Sequence, residues 1–381
     1  MISPQAFYHV LTSLGVNCVV GVPDSLLKPF CAYIEAVLPA ERHLIAANEG
    51  TAVAIASGVH LATGGLPLVY LQNSGLGNTL NPLLSLADPQ VYGIPLLLLV
   101  GWRGEPGVKD EPQHSKQGAV TPALLTALDI PHAILDGDPS AAEHHAHAMA
   151  AQARQRSGPA VLLARQGVFA ASEARRPPRA TDPEALSREH AIELITATLP
   201  ETAIVVATTG HISRELYEQR RRLQQDPSGD FLTVGSMGHA SQIALGIALM
   251  RPDRRVVCLD GDGAALMHLG GLATLGTRDL PYLVHIVLNN GVHDSVGGQP
   301  TVGFEIQFTA IARACGYRQV YGPVRSEADI RQTLTQTLTA RGPVLVEIRV
   351  NPGARADLGR PQETPAENKV QFMQRLRAQS V

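Results

Sequence analysis

The sequence has no excess of basic charge, no long apolar run and no paired cysteines, and each absence narrows its chemistry. Lysine and arginine number 31 against 34 acidic residues, a formal net charge of -3. No broad basic face is then available for a nucleic acid or an anionic membrane. The longest apolar run, residues 94–100, is far short of the ~20 residues that span a bilayer. The opening MISPQAFYHV has no basic stretch followed by an apolar one, so the expectation is a soluble, unexported, cytoplasmic protein. Cys18, Cys31, Cys258 and Cys315 stand singly, without a C-x-x-C pair, which suits free thiols in a reducing compartment.

What is present is a chain of 381 residues, 45% hydrophobic, long enough to bury the cores of two domains. It says nearly the same thing twice. Ser3, placed to cap a helix with Pro4 in its first turn, is matched by Ser187 at the head of SREHAIELITATL. PLVYLQNSG from Pro67 resembles RVVCLDGDG from Arg255, and GPAVLLARQG from Gly158 resembles GPVLVEIRVNPG from Gly342. The offset from each segment to its counterpart is nearly constant, as a duplicated domain requires. Short apolar runs alternate with helical patterns in both halves. The predicted fold is α/β, two similar doubly wound domains with mostly parallel sheets and no central third domain. Residues 171–185, ASEARRPPRATDPEA, read as an exposed linker between domains at 1–170 and 186–381.

Ligands of such sheets bind beyond the carboxyl ends of the strands. In the second half, Gly235, Ser236, Met237 and Gly238 form a glycine-rich turn before a small-residue helix, a geometry that offers backbone N–H groups to a diphosphate. The strand from Val256 ends in Gly261-Asp262-Gly263-Ala264, and Asn289-Asn290 follows further along the chain. The interval between them accommodates one helix and one strand, bringing Asn290 to the strand end beside Asp262. An Asp and an Asn flanking a diphosphate suit Mg²⁺, which takes few protein oxygens along with phosphate and water.

These residues and their spacing resemble the motif of the thiamine diphosphate-dependent 2-oxo acid decarboxylases. The resemblance implies thiamine diphosphate and Mg²⁺ as cofactors, with Asp262, the Asn290 side chain and the Val292 carbonyl as metal ligands. It makes the second domain the diphosphate and metal domain, with Met237 as the apolar wedge under the cofactor and Thr209, Gly210 and His211 as diphosphate contacts. The first domain becomes the pyrimidine-binding domain, and Glu49, in Ala47-Asn48-Glu49-Gly50, matches the catalytic glutamate. Proton sharing between such a carboxyl and the aminopyrimidine favours the tautomer that deprotonates the thiazolium ring. The resemblance further implies a homodimer or larger homo-oligomer with active sites at the subunit interface.

Three first-half turns, at residues 21–28, 72–78 and 102–114, are similar to the branch of this family whose small 2-oxo acid carries a phosphonate. Decarboxylation of 3-phosphonopyruvate is the implied reaction. The branch acting on a sulfonate analogue is the alternative, and a catalytically silent cofactor-binding protein a second. A dianionic phosphonate calls for cations and hydroxyl donors, and Ser25, Lys28, Arg103, Lys109 and Lys116 place these on candidate loops, though not all can be ligands. Asp24, Gln72, Asn73 and His114 occupy turns where related decarboxylases place polar residues, and the resemblance implies that they handle protons or orient the substrate carboxylate. The histidines at 144, 145 and 147 lack a strand end and read as a solvated helix face.

Overall fold

The computed structural model describes residues 1–174, 177 and 179–377. Within the expected linker, residues 175, 176 and 178 lie outside the described residues. The chain divides into two compact units, Met1–Pro178 and Arg179–Val381.

The first unit runs α1 (Pro4–Ser13), β1 (Val19–Gly21), α2 (Lys28–Val37), β2 (His43–Ile45), α3 (Glu49–Thr63), β3 (Leu68–Gln72), α4 (Leu76–Pro82), β4 (Leu96–Gly101), α5 (Pro112–Ala127), β5 (His132–Leu135), α6 (Pro139–Arg156) and β6 (Pro159–Ala164). Its six strands form one sheet in the order β2-β1-β3-β4-β6-β5, and every pairing is parallel.

The second unit runs α7 (Arg188–Thr198), β7 (Ile204–Ala207), α8 (His211–Arg222), β8 (Asp230–Leu232), α9 (Ala240–Met250), β9 (Val256–Gly261), α10 (Asp262–Met267), α11 (Gly271–Gly276), β10 (Leu283–Asn289), β11 (Val292–His293), β12 (Gln299–Pro300), α12 (Phe308–Ala314), β13 (Gln319–Val324), α13 (Glu327–Thr339), β14 (Val344–Arg349) and α14 (Pro365–Arg377). The main sheet is ordered β8-β7-β9-β10-β14-β13. Strand for strand this repeats the first unit, so the internal similarity in sequence is one fold used twice. The second unit adds the two-stranded antiparallel β11–β12 hairpin that follows β10 and the helix α14 that follows its last strand.

Both sheets are covered on both faces, and this explains their unbroken apolar strands. In β4, Leu97 and Leu99 face the core shared with α1, α2 and α6. Leu96, Leu98 and Val100 face the opposite core, with Ala52, Val53 and Ala56 of α3. The second unit divides likewise, Val257 and Leu259 to one side and Val256 and Cys258 to the other. Ser3 caps α1 and Ser187 caps α7, each side chain accepting from the backbone N–H three residues on. No helix among the described residues is long and apolar enough to cross a membrane.

One buried ion pair ties α8 to β8: Arg220 donates through Nε and NH2 to Asp230 at 2.8 and 3.0 Å. Both side chains are at most 5% exposed. Removing one partner strands the other charge, so Asp230→Ala should destabilise the second unit by about 3–5 kcal/mol. Urea unfolding followed by circular dichroism measures this, and a loss under about 1 kcal/mol would contradict it.

Candidate active site

In the first unit the chain leaves β1 for the sheet edge at β2, then crosses back to β3. That reversal opens a crevice beyond the carboxyl ends of β1 and β3. Asp24, just past β1, lies there fully buried. Gln72, at the end of β3, donates from Nε2 to Asp24 Oδ1 at 2.8 Å. Burial pushes the Asp24 carboxyl up, against the pull of Gln72 and the Arg103 charge. Glu49 opens α3 and is buried, with Asn78 donating from Nδ2 to its Oε2 at 2.7 Å. Two glycines make room for these carboxylates. A Cβ at Gly101 would fall 1.9 Å from Asp24 Oδ2, and one at Gly75 would fall 2.3 Å from Glu49 Oε1.

Arg103 is not the free cation that its position after β4 suggests. Its Nε donates to Asp110 Oδ2 at 2.8 Å, its NH2 donates to Asp110 Oδ1, and its NH1 donates to Ser25 Oγ at 2.7 Å. Asp110 also accepts from the backbone N–H groups of Gly104 and Glu111 and pairs with His114 Nδ1 at 2.9 Å. Burial raises the Asp110 carboxyl, but these donors outweigh it and hold the group well below the usual carboxylate range. Ser25, Leu26, Arg103, Lys109, Asp110 and Gln166 line a cavity of about 400 Å³. Asn73 is a bracket rather than an open polar group. It donates to the Arg103 carbonyl and Thr121 hydroxyl and accepts from the Arg103 N–H. Lys28 opens α2 and Lys116 stands one turn into α5, both exposed.

In the second unit the equivalent reversal lies between β7 and β9. Asp262 begins α10 at the end of β9, only 2% exposed. The Thr301 hydroxyl donates to its Oδ2, and the Asn290 backbone also hydrogen-bonds its carboxyl. Burial raises its pKa from the usual 3.8 to about 6, and no cation offsets that burial among the described residues. The two asparagines after β10 divide the work. Asn289 donates to the Gly303 carbonyl and Glu347, tying the strand end to β14, whereas Asn290 turns to Asp294. Val292 stands in β11, its N–H donating to Asn290 Oδ1 at 3.1 Å. In the glycine-rich turn, Gly235 precedes Ser236 and Gly238, both in the left-handed region, and the Met237 methyl lies against Gly263. Ala264 is buried one residue on. Past β7, Thr209 and the positive-φ Gly210 lead into α8.

The fit to a diphosphate and a divalent cation can be read from what lacks a partner. Thr208 Oγ1 and His211 Nδ1, flanking the β7–α8 turn, are buried without a hydrogen-bond partner among the described residues. Burial lowers the His211 pKa to about 4, so the ring is a neutral donor or acceptor near pH 7. A buried carboxylate without a cation beside unused polar atoms suits both groups. The Cys258, Asp260 and His285 ligand atoms also lie within 4.8 Å of one another. Tyr317 and Asp260 already occupy the His285 ring nitrogens at 3.0 and 3.3 Å, so this cluster is a closed hydrogen-bond network.

The sequence reading missed Asp110, Asp294 and Thr301. Asp110 falls within the turn at residues 102–114, but its pairing with Arg103 depends on loop closure. Thr301 reaches Asp262 across 39 positions through the hairpin.

The fold and this donor set define a class, the enzymes that use thiamine diphosphate. Residues 3–124 match the thiamine pyrophosphate enzyme N-terminal TPP binding domain, and residues 210–348 match the C-terminal one. The chain belongs to the thiamine pyrophosphate enzymes, whose cofactor is thiamine diphosphate held with Mg²⁺, and among them to the phosphonopyruvate decarboxylase family. It is 42% identical to the phosphonopyruvate decarboxylase of Streptomyces viridochromogenes, over 94% of this chain and 90% of that one. The same enzyme of Streptomyces hygroscopicus is also 42% identical, with 96% and 92% covered. The sulfopyruvate decarboxylase of Methanosarcina acetivorans is 26% identical, with 91% and 90% covered.

The Asp262 geometry sets a pH dependence. Its carboxyl titrates near 3.8 when unfolded and near 6 in the fold, so the native state binds the proton more tightly between those values. The metal-free protein therefore loses stability as pH rises through that window, by roughly 3 kcal/mol at most. Asp262→Asn should remove this loss. Urea midpoints of the metal-free proteins should coincide near pH 4 and favour the variant near pH 7; parallel profiles would refute the assignment.

Proposed function

We propose that this chain decarboxylates 3-phosphonopyruvate to phosphonoacetaldehyde and CO₂, a step of phosphonate biosynthesis. The observation that carries the proposal is the 42% identity to phosphonopyruvate decarboxylases across both units, against 26% to a sulfopyruvate decarboxylase over similar coverage. Bound thiamine diphosphate supplies an electron sink for the bonding pair left when CO₂ departs.

This chain's residues supply the rest. Asp262, the Asn290 amide oxygen and the Val292 carbonyl would hold Mg²⁺. Thr209, Gly210, His211 and the turn from Gly235 through Met237 would seat the diphosphate end, with Gly261, Gly263 and Ala264 allowing close approach. Glu49 would exchange a proton with the pyrimidine through Oε1, because Asn78 occupies Oε2. Asp24 is placed to hold a proton, since burial pushes its carboxyl up. Gln72 fixes that carboxyl and Asn73 fixes the Arg103 backbone.

Ser25, Arg103 and Lys109, on one cavity, would receive the phosphonate, with His114 beside them through Asp110. The Lys109 ammonium and the Arg103 N–H groups not given to Asp110 or Ser25 lose their anion when the tetrahedral group is missing. Phosphonopyruvate should therefore exceed pyruvate in kcat/KM by at least about 10²-fold. Parallel product analysis with phosphonopyruvate, sulfopyruvate and pyruvate tests this. Equal efficiency with pyruvate would exclude the phosphonate reading, and preference for sulfopyruvate would replace it.

The same reading makes the protein a cytoplasmic homodimer or larger homo-oligomer, each site taking the first unit of one subunit and the second unit of its partner. It assigns neither nucleic acid nor membrane as partner. Complementation tests the assembly. Glu49→Ala and Asp262→Ala chains are each expected to be inactive. If mixed dimers form half the population and sites act independently, co-expression should return about a quarter of wild-type activity. Verified mixed dimers that stay inactive, in single turnover as well, would refute sites shared between subunits.

A further inference from the structure

We propose that Asp294 is a positioning residue for the metal site, fixing which end of the Asn290 side-chain amide faces the ion. The inference rests on Asp262 and Asn290 being the metal ligands, as proposed above. Asn290 Nδ2 donates to Asp294 Oδ2 at 2.8 Å, while the Val292 N–H donates to Asn290 Oδ1 at 3.1 Å. A carboxylate can only accept and a backbone N–H can only donate, so both contacts demand the same amide orientation. Flipped, the amide would set oxygen against carboxylate and NH₂ against N–H. The orientation matters because a hard cation takes the amide oxygen and not the nitrogen.

Asp294 is itself held from two directions. Arg188 NH1 donates to its Oδ2 at 2.7 Å, and the Gly353 N–H donates to the same oxygen at 3.0 Å. Arg188 opens α7 and is 4% exposed; its Nε and NH2 are given to Glu215 of α8 at 2.8 and 2.9 Å. A single buried guanidinium thus joins α7, α8 and the loop of the β11–β12 hairpin. Of its two carboxylate partners, Asp294 passes the constraint on to Asn290. Glu215 shares the guanidinium without touching Asn290, which makes it the natural control.

The test titrates Mn²⁺, a paramagnetic substitute for Mg²⁺, into the full-length protein with saturating thiamine diphosphate. Free ion is read by electron paramagnetic resonance and melting temperature is recorded alongside. Partners that orient a metal ligand typically matter by about 10- to 100-fold in affinity, and Asp294→Ala should weaken Mn²⁺ binding by that factor. If Asp294→Ala does not fold, Asp294→Ser carries the same expectation, its hydroxyl being too short to reach the amide. Asp294→Asn keeps an acceptor and should stay within about fivefold of wild type. Glu215→Gln should lower the melting temperature yet leave Mn²⁺ affinity unchanged.

Wild-type affinity in Asp294→Ala or Asp294→Ser overturns the proposal. So does equal weakening in Glu215→Gln, which would mean general loosening, or in Asp294→Asn, which would mean charge and not orientation. Asp262→Asn separates the two levels. If it retains Mn²⁺ affinity, the metal-site reading fails, whereas its loss together with intact binding in Asp294→Ala fails the positioning alone.

Discussion

A sheet covered by helices on both faces offers almost no place for a polar side chain along its strands, and the rest of this structure follows from that constraint. In β4 both sets of alternating residues enter apolar cores. Polar groups therefore gather past the carboxyl ends, where the chain turns into a helix. There the parallel order opens a crevice wherever successive strands depart in opposite directions. The first unit has this reversal between β1 and β3, the second between β7 and β9. Asp24 with Gln72 occupies the first, and Asp262 with the β7–α8 turn occupies the second.

Charge compensation then separates structural carboxylates from those available for chemistry. Asp230 is matched by Arg220, Asp110 by Arg103, and Glu215 and Asp294 together by Arg188. These pairs anchor elements, and breaking them leaves a buried charge. Asp24 and Asp262 have no salt-bridge partner among the described residues. Burial pushes both upward, Asp262 to about 6. A buried acid in that condition gains from a proton or a cation. Proton handling at Asp24 and metal binding at Asp262 are the corresponding proposals.

The two units keep one topology and differ in their turns. The first fills its crevice with hydrogen-bonded side chains: Gln72 on Asp24, Asn78 on Glu49. The second keeps a glycine-rich turn, polar atoms at Thr208 and His211 without a hydrogen-bond partner among the described residues, and a hairpin that brings Thr301 onto Asp262. The proposed division of the cofactor, its ring on one copy of the fold and its anion with the cation on the other, rests on these differences.

Much of this was legible in the linear order because the decisive signals are local. Alternating strand and helix patterns, caps at Ser3 and Ser187, the near-constant offset between halves and the spacing from Asp262 to Asn290 all concern neighbours in sequence or a repeated period. They determine the α/β class, the duplication and the cofactor family. What only the tertiary structure decided is who pairs with whom. Arg103 reads as a free cation after a strand until loop closure brings Asp110 onto it. Asn73 reads as a polar site residue until it is found bracketing the Arg103 backbone. Asp294 and Arg188, separated by 106 positions, meet beside Asn290 only because α7, α8 and the β11–β12 hairpin converge there. The physical reason is that a buried charge or amide takes whatever partner packing brings within about 3 Å, and no periodicity in the chain records that choice.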